Sequence, residues 1–341
     1  MLCVVRLIAV PFTLFAAAFA GVACSSGPPS EEASTEPVLL ISQKASKSIG
    51  WYTLDGELLA EAAVSDHPHE IVLSPDGQRL YVTDNGVMQI EFAGEGGNKV
   101  SIVDVPGRKK VGEVDLGQWR RPHGIGLCSD GTLLATSESP DQLLVIDTAQ
   151  QKIVRTFDTG GETPHIVHCS EDSTQAYVSN ARSRTVARVD LEAGERELLE
   201  TGDRPEGSGL SPDYSTLYVA HRDADKIVAI DTADWSILGE IATPGEPVRC
   251  GVSGDGKMIA YGLFAGQGVG FADLSTMTEV GRVSTVGPTV SLEMAADGET
   301  ALACAQDQDT CYMLSIAQRS ITNTIHVNAG SGPDPLLLLQ P

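Results

Sequence analysis

Three histidines and a glutamate each stand directly after a proline: Pro68-His69, Pro122-His123, Pro164-His165 and Pro205-Glu206, at steps of 54, 42 and 41 residues. Imidazole and carboxylate are the groups that exchange protons near neutral pH, so His69, His123, His165 and Glu206 form a candidate general acid–base set. Neutral imidazoles that converge could instead ligate copper or zinc, although no HxxxH or His-Cys ligand cluster accompanies them. The plainer reading is that Pro-His suits a strand start, where the ring packs and hydrogen-bonds between neighbours. Arginine is also unevenly placed. Arg120, Arg121, Arg182, Arg184, Arg204, Arg222 and Arg249 fall near the same repeat offsets, in a chain with 46 acidic and 23 basic residues. Guanidinium groups bind carboxylate or phosphate through paired hydrogen bonds, which points to a small anionic ligand. Pairing with the nearby Asp203, Asp223, Asp225 and Glu246 is the alternative use of these cations.

A repeat positions these residues. Each proline leads through a short apolar run into an acidic turn, clearest in Ser74-Pro75-Asp76-Gly77. The turn aspartates, Asp76, Asp130, Asp172, Asp213, Asp255 and Asp297, are 54, 42, 41, 42 and 42 residues apart. A period near 40 residues with several short strands in each copy signals a β-propeller, one blade per repeat. Residues 203–243 show the unit: strands over 205–210, 216–220, 226–231 and 236–241, joined by turns. The fold expected is all-β, a seven-bladed propeller of four-stranded antiparallel blades. Innermost strands begin near 69, 123, 165, 206, 248, 290 and 336, and the last blade takes its inner strand from the C-terminus and its other three from 38–64.

In such a meander, first-strand starts, second-strand ends and the links between blades share one end. Val248 and Leu336 then occupy the slot of the histidines in two other blades. Second strands deliver Asp84 and Asn85, Glu138, Asn180 and Arg182, and His221 and Arg222; the links deliver Trp119, Arg121 and Arg204. Asp84, Trp119, Arg121, Glu138, Arg182, His221, Arg222 and Arg249 are therefore the candidate ligand-binding residues. The step of 54 places about a dozen extra residues between Asn85 and Asn98, an apolar-tipped loop at the same end. Loops of that length in compact folds often carry function, here as a lid or a partner contact.

Ser-Pro-Asp-Gly-x-x-Leu-Tyr-Val over Ser74 to Val82, with Ile-Asp-Thr late in the blades at 146–148 and 230–232, resembles the YVTN-repeat or YncE-like seven-bladed propellers. The resemblance spans nearly all of 38–341 and implies the fold; the scaffold hosts both binding proteins and enzymes. His67-Pro68-His69-Glu70 with Val82-Thr83-Asp84-Asn85-Gly86 is also similar to one blade of the carboxymuconate-cyclase and phosphogluconolactonase-type propellers. That likeness implies histidine proton transfer assisted by Glu206, with Arg249 or Arg222 holding a carboxylate. Pro122-His123-Gly124 resembles the strand starts of streptogramin-cleaving lyase propellers. The expected function is a ligand- or protein-binding module acting through the channel-mouth face. The alternative is a lactonase, cyclase or lyase acting on an anionic small molecule.

A formal charge of −23 disfavours nucleic-acid binding. No Gly-x-Ser-x-Gly elbow or phosphate loop is present, and no cofactor is expected. Residues 1–23 read as a signal peptide, with Arg6 before the apolar run Leu7 to Ala20. Gly21-Val22-Ala23-Cys24 resembles a bacterial lipoprotein box, with Gly21 where Leu is usual; cleavage beside Cys24 without lipidation is the alternative. Residues 24–37 read as a disordered tether, leaving a monomer, periplasmic or on the outer membrane, that meets the membrane only through its lipid. Export permits disulfides. Cys304 and Cys311 flank a short polar loop and could pair, as could Cys128 and Cys169 at equivalent places in adjacent blades; Cys250 then lacks a partner. A small buried thiol is the other reading for Cys128, Cys169 and Cys250.

Overall fold

The computed structural model describes residues 36–340. The expected signal segment 1–23, Cys24 and nearly all of the expected tether 24–37 lie outside them. Seven four-stranded antiparallel sheets are arranged as the blades of one propeller. In chain order they span 68–115, 120–157, 164–200, 205–242, 247–284 and 291–326. The seventh joins Pro333–Leu339 to Val38–Gln43, Ser48–Tyr52 and Leu58–Ala63. Leu339 lies opposite Val38 and Leu336 opposite Ile41, so chain end and chain start close the ring by main-chain hydrogen bonds.

Strand burial follows position in the blade. Third strands such as Lys226–Asp231 are apolar on both faces because a neighbouring blade covers each side. Outermost strands such as Thr278–Ser284 alternate exposed and half-buried residues. Among the described residues most buried apolar side chains fall into seven separate clusters. One of them joins Val82 of the first blade to Leu40 and Trp51 of the seventh. The core is thus a set of seams between blades, and polar side chains gather at one end of the axis.

The acidic turns hold themselves. In the first, Ser74 Oγ donates to Asp76 Oδ1 at 2.6 Å, the Gln78 amide donates to the same oxygen at 3.0 Å, and Arg79 N donates to Ser74 Oγ at 2.8 Å. Gly77 takes the left-handed conformation the turn requires, φ 69°, which Ser173 and Tyr214 adopt in two other copies.

Among the described residues there are two disulfides. Cys128–Cys169 ties the second blade to the third, and Cys304–Cys311 lies within the sixth; Cys250 is a buried free thiol. Their sequence separations are 41 and 7 residues. Loop-closure entropy assigns about 4 kcal/mol to the longer link and about 2.5 kcal/mol to the shorter. Replacing Cys128 and Cys169 by Ser should therefore lower stability in urea denaturation more than replacing Cys304 and Cys311. Equal losses would mean that native packing, not chain closure, sets their value.

Candidate functional site

The proline at each strand start acts through the backbone on both sides of it. The residue before it is in the left-handed region in five blades: His67, Arg121, Thr163, Arg204 and Glu246, with φ between 46° and 61°. Gly332 does the same in the seventh. After the proline the ladder slips. Residues 69 and 70 together oppose Thr83, and 123 and 124 together oppose Thr136, with the same two-against-one count in the third, fourth and seventh blades and a single extra residue, Val248, in the fifth. A bulge of this kind re-aims a side chain, and it turns His69, His123, His165 and Glu206 toward the axis. Hydroxyls repair the ladder and join the blades. Thr83 Oγ1 accepts from Glu70 N at 3.0 Å and donates to the His123 carbonyl at 2.6 Å; Thr136 Oγ1 does the same for Gly124 and His165 at 2.8 and 2.7 Å. Gly124 is needed there, because a Cβ would lie 2.1 Å from the His165 carbonyl oxygen.

The three imidazoles meet at the channel mouth. Ring centroids are 4.6 Å apart for His69 and His123 and 3.7 Å for His123 and His165. Burial, reinforced by neighbouring positive groups, holds all three well below the usual imidazole range, so they are neutral at pH 7. His123 Nδ1 bonds Glu138 Oε1 at 2.7 Å, and Arg121 Nε donates to Glu138 Oε2 at 2.7 Å. His165 Nδ1 bonds the Glu206 carbonyl at 3.0 Å. Below them Arg249 Nη2 donates to Glu70 Oε1 at 2.6 Å and lies 3.5 Å from His123 Nε2. Lys44 is paired with Asp334, both buried.

The extra loop closes this mouth. Arg121 donates to the carbonyls of Phe92 and Ile90 at 2.9 and 3.1 Å, Arg182 donates to Ile90 O at 3.2 Å, and His69 Nε2 bonds Val87 O at 2.9 Å. Glu91 is clamped by Arg204 and lies 3.6 Å from Arg222. Arg204 Nε also donates to Glu206 Oε2 at 2.8 Å, and Arg222 stacks on Phe264 at 3.7 Å. Burial acts to raise the Glu91 carboxyl; the Arg204 bond and the charges of Arg204 and Arg222 outweigh it, so it titrates below its ordinary range. Under the loop remains a cavity of about 50 Å³ reaching His69, His123, His165, Glu206 and Arg249, room for water but not for an organic ligand. Beside the loop opens a cleft of about 570 Å³ lined by Ile90, Glu91, Arg182, Arg184, Asp203, Arg204 and Asp223.

His69, His123, His165, Glu206, Glu138, Arg121, Arg182, Arg222 and Arg249 thus lie at or just beneath one mouth, and three candidates do not join them. Asp84 is inside the first blade, accepting from Ser65 N at 3.1 Å and Ser101 Oγ at 2.7 Å. His221 bonds Val219 O within the fourth blade and Thr201 Oγ1 in the link before it, and Trp119 packs in the seam between the first and second. In the seventh blade the slot after the first proline belongs to Asp334, not Leu336. The strand begins at Pro333 opposite Gln43, and the bulge opposite Ser42 absorbs Pro335, which has no N–H to give the ladder. Asp334, Lys44, Glu70 and Glu91 were therefore missed. Asp334 carried the same Pro-first signal as the histidines, and Lys44 follows the second strand of its blade.

Ligand atoms of His123, Glu138 and His165 lie within 4.8 Å of one another. The set does not suit a divalent ion: Arg121 already neutralises Glu138, and Arg249 adjoins His123.

No family model matches the chain, and no curated protein matches it. Solved structures do. Hydrazine synthase of Kuenenia stuttgartiensis aligns with TM-score 0.67 and 20% identity over 86% of this chain and 92% of that one. A protein of unknown function from Desulfotomaculum acetoxidans aligns with TM-score 0.72 and 13% identity over 89% and 99%. Dihydro-heme d1 dehydrogenase NirN, in complex with DHE, aligns with TM-score 0.64 and 18% identity over 88% of this chain, which spans 65% of that one. At these identities the likeness is one of fold, the seven-bladed propeller.

Burial raises the Asp84 carboxyl to about 7 against the two bonds it accepts. A carboxyl raised on folding stabilises the protein fully only below its unfolded value near 4, and that stability is lost as pH climbs through the folded value. Asp84→Asn should match wild type in urea titrations at pH 4 and exceed it on the order of 2–4 kcal/mol at pH 8. A gain independent of pH would contradict the assignment.

Proposed function

We propose that this chain is an exported YVTN/YncE-like propeller that binds a small anionic ligand in the cleft beside the 85–98 loop. The single observation that carries this is the Glu91 carboxylate held between Arg204 and Arg222, an internal group in the place an external carboxylate or phosphate would take. Among the cleft's lining groups, Arg182, Arg184 and Arg204 face Glu91, Asp203 and Asp223, three charges against three. With Glu91 displaced the balance is one positive charge, 3 − 2 = +1, and Arg222 adjoins it. An anion therefore competes with the loop for the same guanidinium groups, and binding loosens the loop's hold. This reading keeps residues 1–23 as an export signal, Cys24 as a lipid anchor to the bacterial outer membrane or periplasmic face, and the propeller as a monomer whose loop could equally meet a protein bearing an acidic group.

A lactonase, cyclase or lyase is the second reading, favoured by one observation. His123 has its Nδ1 oriented by Glu138 and its Nε2 toward Arg249, the arrangement of a base with its orienting carboxylate. The 50 Å³ cavity admits no substrate while the loop is closed, so this chemistry requires the loop to move.

Calorimetric titration of citrate, phosphate and 6-phosphogluconate into wild type, Glu91→Gln and Arg204→Ala tests the proposal. At least one anion should bind, about tenfold more tightly to Glu91→Gln than to wild type and at least tenfold more weakly to Arg204→Ala. Affinities indifferent to both substitutions, or no binding to Glu91→Gln, would overturn it. Turnover of a lactone that rises in Glu91→Gln and vanishes in His123→Asn would favour the second reading.

A further inference from the structure

The opposite mouth of the channel is open. A funnel of about 620 Å³ runs up from the acidic turns, with walls that include Leu73, Leu127, Val167, Leu210, Met294 and Leu338. Glu70, Arg249 and Glu293 lie at its inner end. This volume falls in the range of small-molecule sites, and an apolar wall with few convergent polar groups is their usual composition.

The axial carboxylates are otherwise paired: Glu70 with Arg249, Asp334 with Lys44, Glu206 with Arg204 and Glu138 with Arg121. Glu293 has no hydrogen bond or ion pair among the described residues. Burial, then the charges of Glu70 and Asp334, push it up to about 8, with Arg249 opposing. The remaining titratable groups on neighbouring inner strands do not offset this. His123, His165 and His168 are held neutral by burial, and Glu206 is itself an acid. In the turns around this mouth, Asp76, Asp172, Asp213, Asp255 and Asp297 accept hydrogen bonds within their own turns and titrate low, so ionised carboxylates surround the way in without lining it.

We infer that this funnel is a second binding site, for an organic cation with an apolar body and an ammonium head that pairs with Glu293. The apolar walls bury the body, and the acidic rim raises the local concentration of cations. The ammonium supplies the counter-charge that Glu293 lacks. Glu293 is protonated at neutral pH when the site is empty, so binding drives its proton into solvent. A neutral molecule of the same shape would release none.

Phenethylammonium and 2-phenylethanol, titrated calorimetrically into the full chain in buffers of different ionisation enthalpy, decide between them. The cation should bind wild type at least tenfold more tightly than the alcohol. It should release close to one proton at pH 6.5, falling toward none at pH 9. Glu293→Gln, shown to be folded by its thermal transition, should lose at least tenfold for the cation and leave the alcohol unchanged. Proton release is read on wild type and does not depend on the variant. Equal binding of cation and alcohol, absent proton release at pH 6.5, no binding of the cation, or unchanged cation affinity in Glu293→Gln would each overturn the inference.

Discussion

The bulge behind each inner-strand proline is the feature on which the mouth depends. A straight strand at the centre of a propeller sends alternate side chains into the seams between blades. The slip after Pro68, Pro122, Pro164 and Pro205 breaks that alternation once, and His69, His123, His165 and Glu206 leave the seams for the axis. The slip leaves amides without ladder partners, and Thr83 and Thr136 take up two of them. Those hydroxyls also donate to the next blade, so re-aiming the side chains and fastening the blades rest on the same two residues. The left-handed residue before the proline completes the device. Left-handed backbone costs free energy for a non-glycine residue, and such strain collects where side chains are put to use. Two of these residues, Arg121 and Arg204, are among those that grip the 85–98 loop.

Charge pairing along the axis follows from that geometry. Removing Glu70 and Arg249 from water is costly, and their attraction repays it only because they are in direct contact. Such a pair adds little net stability compared with an apolar filling, but removing one partner would strand the other. Lys44 with Asp334 and Arg121 with Glu138 obey the same constraint. The chain's two mouths then differ in composition and access. The loop end gathers guanidinium groups under a closed loop, and the turn end gathers carboxylates around an open, apolar funnel.

The repeat, the blade count and the closure of the ring were legible in the sequence because strand pattern and turn chemistry are local. Asp76, Asp130 and their equivalents need only residues within their own turn, so a period of prolines and aspartates reports the blades directly. The common end of His69, His123, His165, Glu206 and Arg249 was also legible, since a meander brings those offsets to one place. Asp84 and His221 show where this stops. Both occupy second-strand ends, yet each side chain turns into its own blade, a choice made by rotamer and by partners such as Ser101 and Thr201. The seventh blade failed by register: two prolines around Asp334 admitted two strand starts, and only pairing with Gln43 selects one.

By itself, then, the sequence determined a seven-bladed ring, the ends at which its titratable residues collect, and an extra loop at one of them. Tertiary structure alone decided which of those residues touch. Glu70 and Arg249 are 179 positions apart, and Glu91 and Arg204 are 113 apart; no periodicity predicts that such pairs meet. Whether the loop stands open or folds over the histidines depends on hydrogen bonds to its backbone carbonyls, which side-chain identity does not encode. The solitude of Glu293 was equally invisible, because a missing partner becomes apparent only when every neighbour is in place.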